Sequence, residues 1–239
     1  MRTHEKVLAQ IEANLAAGRW GLGERLPGER ALAEQMGVSR PSVREALRIL
    51  EAMGIIRTAV GSGPDAGATV IDRPAAGLGA AVRLHVASGT LPVHDVVATR
   101  DALETWAIGE ATTRLAAGPA PVATALAEAH RLLEATLDPA LPVADFVRLD
   151  QDFHLELVTL GGNQVVEAIL RGLRSAVGSY VTEGAERLTS WPTTAQRLCT
   201  EHRDILEAMT AGDAEAARTA AHEHIWRFYE ETGLSAPER

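Results

Sequence analysis

Apolar residues recur every three or four positions along most of this chain, and Gly and Pro interrupt the pattern at points that delimit its elements. Val7, Leu8, Ile11 and Leu15 share one helical face, predicting a helix over 3–17 that stops at Gly18. A loop follows over 21–27. Leu32 and Met36 mark a short helix over 29–36, and Gly37-Val38 a tight turn. Ser39 offers an N-cap to a helix that reaches Met53, with Pro41 in the first turn, where a missing N–H costs nothing. Its buried stripe is Val43, Ala46, Leu47 and Leu50. Beyond Gly54 the period shortens: 55–59 and 68–71, on either side of a Gly- and Pro-rich turn over 61–67, predict a two-stranded hairpin.

Helix, helix, turn, helix, hairpin is the order of a winged helix-turn-helix. Asp72 to Gly79, with Pro74, Ala75, Ala76 and Gly77, predicts a linker, and from there the pattern is helical to the end: 80–88, 93–117, 120–136, 142–160, 163–187, 191–211 and 213–232. Asn163 and Asp213 are suitable caps at two of those starts. The expected organisation is a DNA-binding domain over 1–72, a linker over 73–79 and an all-helical domain over 80–235, so the fold class is mostly α. Scarce aromatics, 4%, place the core on Leu, Val, Ile and Ala, which suits helix-on-helix packing. The single cysteine, Cys199, excludes an intramolecular disulfide; with no apolar leader and no apolar run near the roughly 20 residues a bilayer requires, a cytoplasmic, non-membrane protein is expected.

The net charge of -9 speaks against nucleic acid until it is divided along the chain. Residues 1–75 carry ten Lys or Arg against nine Asp or Glu, and residues 76–239 thirteen against twenty-three, so the acidity belongs to the second part. A near-neutral first domain with arginines gathered on one helix still docks a phosphate backbone, because the local field governs the encounter. Arg40, Arg44 and Arg48 fall on the face opposite Val43, Leu47 and Leu50. Arginine forms bidentate contacts to guanine edges; Ser39, Ser42 and Arg30 are better placed for phosphate oxygens, and Gly61 and Gly63 let the hairpin approach a minor groove. The bland alternative is a solvated helix whose arginines pair with Glu45 or Glu51. The ordered co-occurrence of Leu26-Pro27, Glu29-Arg30, Gly37, Ser39-Arg40 and the hairpin favours DNA.

Leu26-Pro27-Gly28-Glu29-Arg30, Leu32-Ala33, Met36-Gly37-Val38-Ser39-Arg40 and Val43-Arg44-Glu45-Ala46-Leu47 resemble the winged-helix signature of the GntR family of bacterial transcription regulators. The resemblance covers about the first 70 residues and implies that Arg30, Arg40 and Arg44 contact DNA. Gly28 departs from the small hydroxyl or Pro usual there, and the wing is longer than usual.

Four ionisable residues of the second part lie where a helical core would place Leu or Ala. Asp150 and His154 are one turn apart and can chelate; His202 lines up with Leu198, Ile205 and Met209, and His224 with Ala217, Ala221 and Phe228. One inward histidine is ordinarily a hydrogen-bonded core residue, but three with a carboxylate at chelating spacing suit a divalent ion, zinc first, then nickel or manganese. His222 must face away from His224, and His4, His85, His94 and His130 have no partner at useful spacing.

The same half resembles the FCD domain, the ligand-binding module of the FadR-type branch of the GntR family, in Asp150-Gln151-Asp152-Phe153-His154, Gly162-Asn163, Glu201-His202-Arg203-Asp204-Ile205 and His222-Glu223-His224. The resemblance implies that Asp150, His154, His202 and His224 are the metal ligands and that Arg100 points into an effector cavity; an i to i+4 pair between Arg100 and Glu104 is the alternative. The long wing and Gly61-Ser62-Gly63-Pro64 are similar to regulators of lactate use, which makes L-lactate or a related 2-hydroxy acid the first effector to consider. The expected protein is a homodimeric regulator, a repressor by family analogy, that binds a palindromic double-stranded operator and responds to a small carboxylate. The alternatives are a metal-responsive regulator and a metal-dependent hydrolase. No general base is evident for hydrolysis, since Glu201 and Glu223 adjoin inward positions and should point elsewhere.

Overall fold

A computed structural model describes residues 2–59 and 67–233, which form two compact units, 1–78 and 79–239. Gly61 and Gly63 lie outside the described residues. The first unit contains α1 (Thr3–Ala16), α2 (Glu29–Met36), α3 (Arg40–Ala52), β1 (Ile56–Ala59) and β2 (Gly67–Val70). Gly37 ends α2 at φ 64, a left-handed conformation that suits a residue without Cβ, and its chain reversal delivers Ser39 to the start of α3. The Ser39 hydroxyl accepts the Ser42 backbone N–H at 3.4 Å. Val7 and Ile11 of α1, Leu32 of α2, and Val43, Ala46 and Leu47 of α3 close one core with Ile56 and Ala68 from the strands. The strands pair antiparallel with Ile56 opposite Val70. The segment expected as a plain loop adds to them: Leu26 N–H donates to the Ala68 carbonyl at 2.9 Å, and Arg25 bridges Thr69. This is the winged helix-turn-helix.

The second unit is all-helical, with α4 (Pro74–Ala87) starting ahead of it in sequence, then α5 (Val93–Ala117), α6 (Val122–Ala125), α7 (Ala127–Ala135), α8 (Val143–Leu160), α9 (Gln164–Glu186), α10 (Trp191–Ala211) and α11 (Ala214–Thr232). The long α5 is central and packs on α8, α9, α10 and α11. Ile108, Phe153, Leu157, Leu206 and Met209 fill the space between them. Asn163 and Asp213 cap α9 and α11: the Asn163 side-chain oxygen accepts the Val165 and Val166 N–H groups, and that of Asp213 accepts the Ala216 N–H.

Two sequence expectations are corrected. The segment 73–79 is helical from Pro74 onward, because Pro is tolerated at a helix start and the alanines that follow are strong helix formers. Gly77 and Gly79 serve packing there: a Cβ on Gly77 would lie 2.9 Å from the Met53 backbone, and one on Gly79 would lie 2.9 Å from the Gly172 carbonyl oxygen. The helix expected over 120–136 is two, α6 and α7, broken at Leu126, whose side chain is wholly buried. No Gly or Pro marks that break; tertiary burial sets it. No helix among the described residues is long and apolar enough to cross a membrane.

Gly79→Val should therefore overpack the contact with α9. We expect a loss of about 1–3 kcal/mol, read as a lower melting temperature of the second unit, whereas Gly28→Val, at a position where a Cβ meets nothing within 4 Å, should cost far less.

Candidate metal centre and nucleic-acid interface

On α3 the arginines stand as the spacing requires. Arg40, Arg44 and Arg48 are exposed and lie across the helix from buried Val43, Ala46 and Leu47, and Arg30 is exposed on α2. The Ser39 and Ser42 hydroxyls lie 2.9 Å apart. The partner of Arg44 is neither Glu45 nor Glu51. Glu51 is taken by the Thr58 N–H and hydroxyl, while Glu29 of α2 receives Arg44 through two nitrogens, Nε at 3.0 Å and Nη2 at 2.8 Å, with Arg40 Nη2 at 4.0 Å. The Arg44 hydrogen bond holds the Glu29 carboxyl below its ordinary range. Glu29 thus braces the guanidinium of the recognition helix against the helix before it.

In the second unit, α8 brings Asp150 and His154, α10 brings His202 and α11 brings His224 to one point. Their ligand atoms all lie within 4.8 Å of one another, and the three histidines are buried. His202 Nε2 is 3.1 Å from Asp150 Oδ1, His154 Nε2 is 3.7 Å from it and His224 Nε2 3.9 Å; the Nε2 atoms of His154 and His224 are 3.0 Å apart. Divalent ions hold such atoms at about 2.0–2.2 Å, which sets ligand atoms about 3–4 Å from each other. Neither nitrogen of His202 has a hydrogen-bond partner, despite full burial and despite the nearby Asp150 oxygen. Close in distance but out of line for a hydrogen bond is the relation between two ligands of one ion. The donor set, one carboxylate and three imidazoles, fits a divalent metal.

Burial disfavours charge at His202, His224 and Asp150. It pulls the His202 pKa down, and that of His224 to about 3, so both imidazoles are neutral, as metal ligation requires. Burial would raise the Asp150 carboxyl; His154 beside it outweighs that and holds it well below the ordinary range.

Behind the cluster stand carboxylates that the sequence did not assign. His224 Nδ1 lies 3.0 Å from Glu201 Oε2, and His154 Nδ1 lies 2.5 Å from Glu104 Oε1, off-line for an ideal hydrogen bond. Such partners orient a ligating imidazole by engaging the nitrogen that the metal does not use. The expectation that Glu201 points elsewhere is overturned: α11 packs against α10 and reaches it from the side. Arg197 and Arg227 also contact Glu201, and Arg197 contacts Glu231.

Glu104 is wholly buried and faces two guanidiniums. Arg100 Nε donates to it at 2.8 Å, and Arg174 Nη2 lies 2.7 and 2.8 Å from its two oxygens. Burial would raise this carboxyl, but Arg100 and Arg174 hold it well below its ordinary range. Arg100 therefore makes the i to i+4 pair that the sequence left as an alternative, and it also lines a small cavity with Asp150, Arg174, His224 and Tyr229. Arg174 was missed. Its place among Leu170, Leu173, Val177 and Val181 on α9 was a legible signal, a cation on an apolar stripe. The cavity's free volume of about 20 Å³ is room for one water molecule. Phe146 and Trp191, packed edge to face at 5.1 Å between centroids, border both this cavity and a surface groove of about 470 Å³.

Residues 95–227 match the FCD domain, and residues 3–64 match the family described as bacterial regulatory proteins, gntR family. The chain belongs to the gntR family, in the branch that carries an FCD domain. Members of this family are transcription regulators and not enzymes, which sets the hydrolase alternative aside. The regulator Mce2R of Mycobacterium tuberculosis is 32% identical across 92% of this chain and 87% of its own length. The putative L-lactate dehydrogenase operon regulatory protein of Escherichia coli is 27% identical across 94% of this chain and 84% of its own. Among solved structures, Streptococcus agalactiae GntR superposes with a TM-score of 0.63 at 22% identity, covering 93% of this chain and 97% of the other, a likeness of fold. FCD domains commonly bind a metal ion, and the Asp150 group is where the described residues suit one.

Stripped of metal, this site should show in a pH titration of stability. His202 and His224 have folded pKa values below their ordinary 6.5, so the unfolded chain takes up protons that the folded chain refuses. Their contribution is complete above about pH 6.5 and is lost as the pH falls below it, for His224 down to about 3, by at most about 1.4 kcal/mol per pH unit for each histidine. The melting temperature of chelator-treated protein should drop between pH 7 and 5, and His202→Leu should flatten that drop; equal slopes would show that His202 is not held neutral.

Proposed function

We propose that this regulator is a homodimer that grips a palindromic operator through α3 and carries a divalent metal, zinc first, on Asp150, His154, His202 and His224. A small carboxylate bound beside that metal modulates its hold on DNA. The observation that carries this reading is the convergence of four ligand atoms from three buried histidines and half-buried Asp150, with both nitrogens of His202 unpartnered, in the helical module of a DNA-binding chain. A bound divalent ion supplies a Lewis-acid anchor for a carboxylate oxygen. The rest is the work of the chain itself: Glu104 and Glu201 orient imidazoles, Arg100 and Arg174 offer positive charge to an anion, and the helices around them exclude water. L-lactate or a related 2-hydroxy acid is the first effector to test, and the E. coli relative named for an L-lactate dehydrogenase operon supports it. Repression is proposed by family analogy; another 27% identical relative is named Glc operon transcriptional activator, so the sign is itself worth measuring.

Within the DNA module, Arg30, Arg40, Arg44 and Arg48 supply the cations, and Ser39 and Ser42 the hydroxyls, that meet phosphates and base edges; Gly61 and Gly63 of the wing are proposed contacts from sequence alone. Two half-sites double the small surface that one winged helix buries, which is the physical reason to expect a dimer. The protein acts where its operator is, in the cytoplasm.

Arg44→Ala should weaken operator binding about tenfold or more while metal content and melting temperature persist; unchanged affinity would remove α3 from the interface. His202→Ala should purify with less than stoichiometric metal. In a fluorescence titration of operator binding, carboxylates added to metal-replete protein should shift the affinity, and a response to metal with none to any acid would make the ion itself the signal.

A further inference from the structure

We infer that the ligand of the inner cavity is a short dicarboxylate, with its second carboxylate seated on Arg174; this rests on the carboxylate reading above. The arginine with donors to spare is not the one the sequence singled out. All three nitrogens of Arg100 are engaged, Nε and Nη2 on Glu104 at 2.8 and 3.4 Å and Nη1 on the Tyr229 hydroxyl at 3.4 Å. Arg174 is 3% exposed, lines the cavity and spends only Nη2 on Glu104. Its Nε and Nη1 find no acceptor. Buried guanidinium N–H groups left unpaired are costly, and the oxygen of an incoming carboxylate is a charged acceptor that suits either of them.

Charge balance points the same way. Glu104 is one negative charge facing two guanidiniums, so the arginine end keeps one positive charge uncancelled. Asp150 is one negative charge facing a divalent ion, so the metal end also keeps one. Glu201 does not alter the balance, because Arg197 and Arg227 face it and Glu231. A monocarboxylate cancels one of the two charges and leaves the other buried in a cavity walled by Val147, Val177 and Phe228. A dicarboxylate cancels both. The small free volume restricts it to short chains that displace water and shift the wall shared with the outer groove.

Matched acids isolate the second charge: L-malate against (S)-2-hydroxybutyrate, and succinate against butyrate, titrated by calorimetry into metal-replete full-length protein with metal content measured afterwards. The diacid of each pair should bind at least about tenfold tighter. Arg174→Met should abolish the difference while metal content stays stoichiometric. Equal affinities within the pairs, with the monoacids binding, would overturn this inference and leave the carboxylate reading standing. Absence of binding by all four acids would overturn both. A diacid preference that survives Arg174→Met would remove Arg174 as the seat. Should that variant fail to fold, metal-stripped wild type serves instead: with one seat left, mono- and diacids should bind alike, and an undiminished preference would overturn the proposal.

Discussion

A single buried carboxylate organises the helical module. Glu104, on the central α5, meets Arg100 one turn before it, Arg174 from α9 and His154 from α8, and the same oxygen, Oε1, faces both Arg174 and His154. Three helices are thereby tied by charge as well as by packing. Taking one partner out of such a cluster leaves an uncompensated buried ion, ordinarily a loss of about 3–5 kcal/mol. Apolar contacts between α5 and its neighbours tolerate small sliding movements; a shared carboxylate with two guanidiniums does not, and so it fixes the register of α5 against α8 and α9.

That register gives the metal cluster its geometry. His154 is placed by its Nδ1 contact to Glu104, and His224 by its Nδ1 contact to Glu201, so two of the three imidazoles turn Nε2 toward Asp150 before any ion arrives. His202 has no such partner for either nitrogen, and the ring of Phe153, 4.4 Å away between centroids, holds it instead. Among the described residues it is the ligand with the least polar support, and the one whose hydrogen-bonding capacity depends most on a bound ion.

The sequence revealed the cluster because its members break an apolar period. Asp150 and His154 are one turn apart, and His202 and His224 interrupt stripes of Leu, Ile, Ala and Phe, so each ligand was visible along its own helix. Glu104 was visible only as a local partner of Arg100, and Glu201 was dismissed, because residues 70 and 23 positions away meet them across helix interfaces that no local period encodes. The same reason accounts for Glu29, whose bond to Arg44 spans a helix-helix contact. Gly79 misled in the opposite sense. With Pro74 and Gly77 it suggested a linker, whereas the structure uses its lack of a side chain for a close backbone approach. Local pattern gave element type and facing; which element lies beside which came from packing.

The magnitudes explain why a buried ionic network suits a regulator. A core of leucines would be at least as stable, since replacing a buried ion pair with packed hydrophobes is often neutral or favourable. What leucines cannot do is respond. A ligand at a hundred times its dissociation constant contributes about 2.7 kcal/mol to the state that binds it, on the scale of one broken buried pair and well above the change that an apolar contact undergoes when a solute enters. A network whose charges are left partly unmatched by the chain is completed by the ion and anion that match it, and their binding then favours whichever arrangement holds them best.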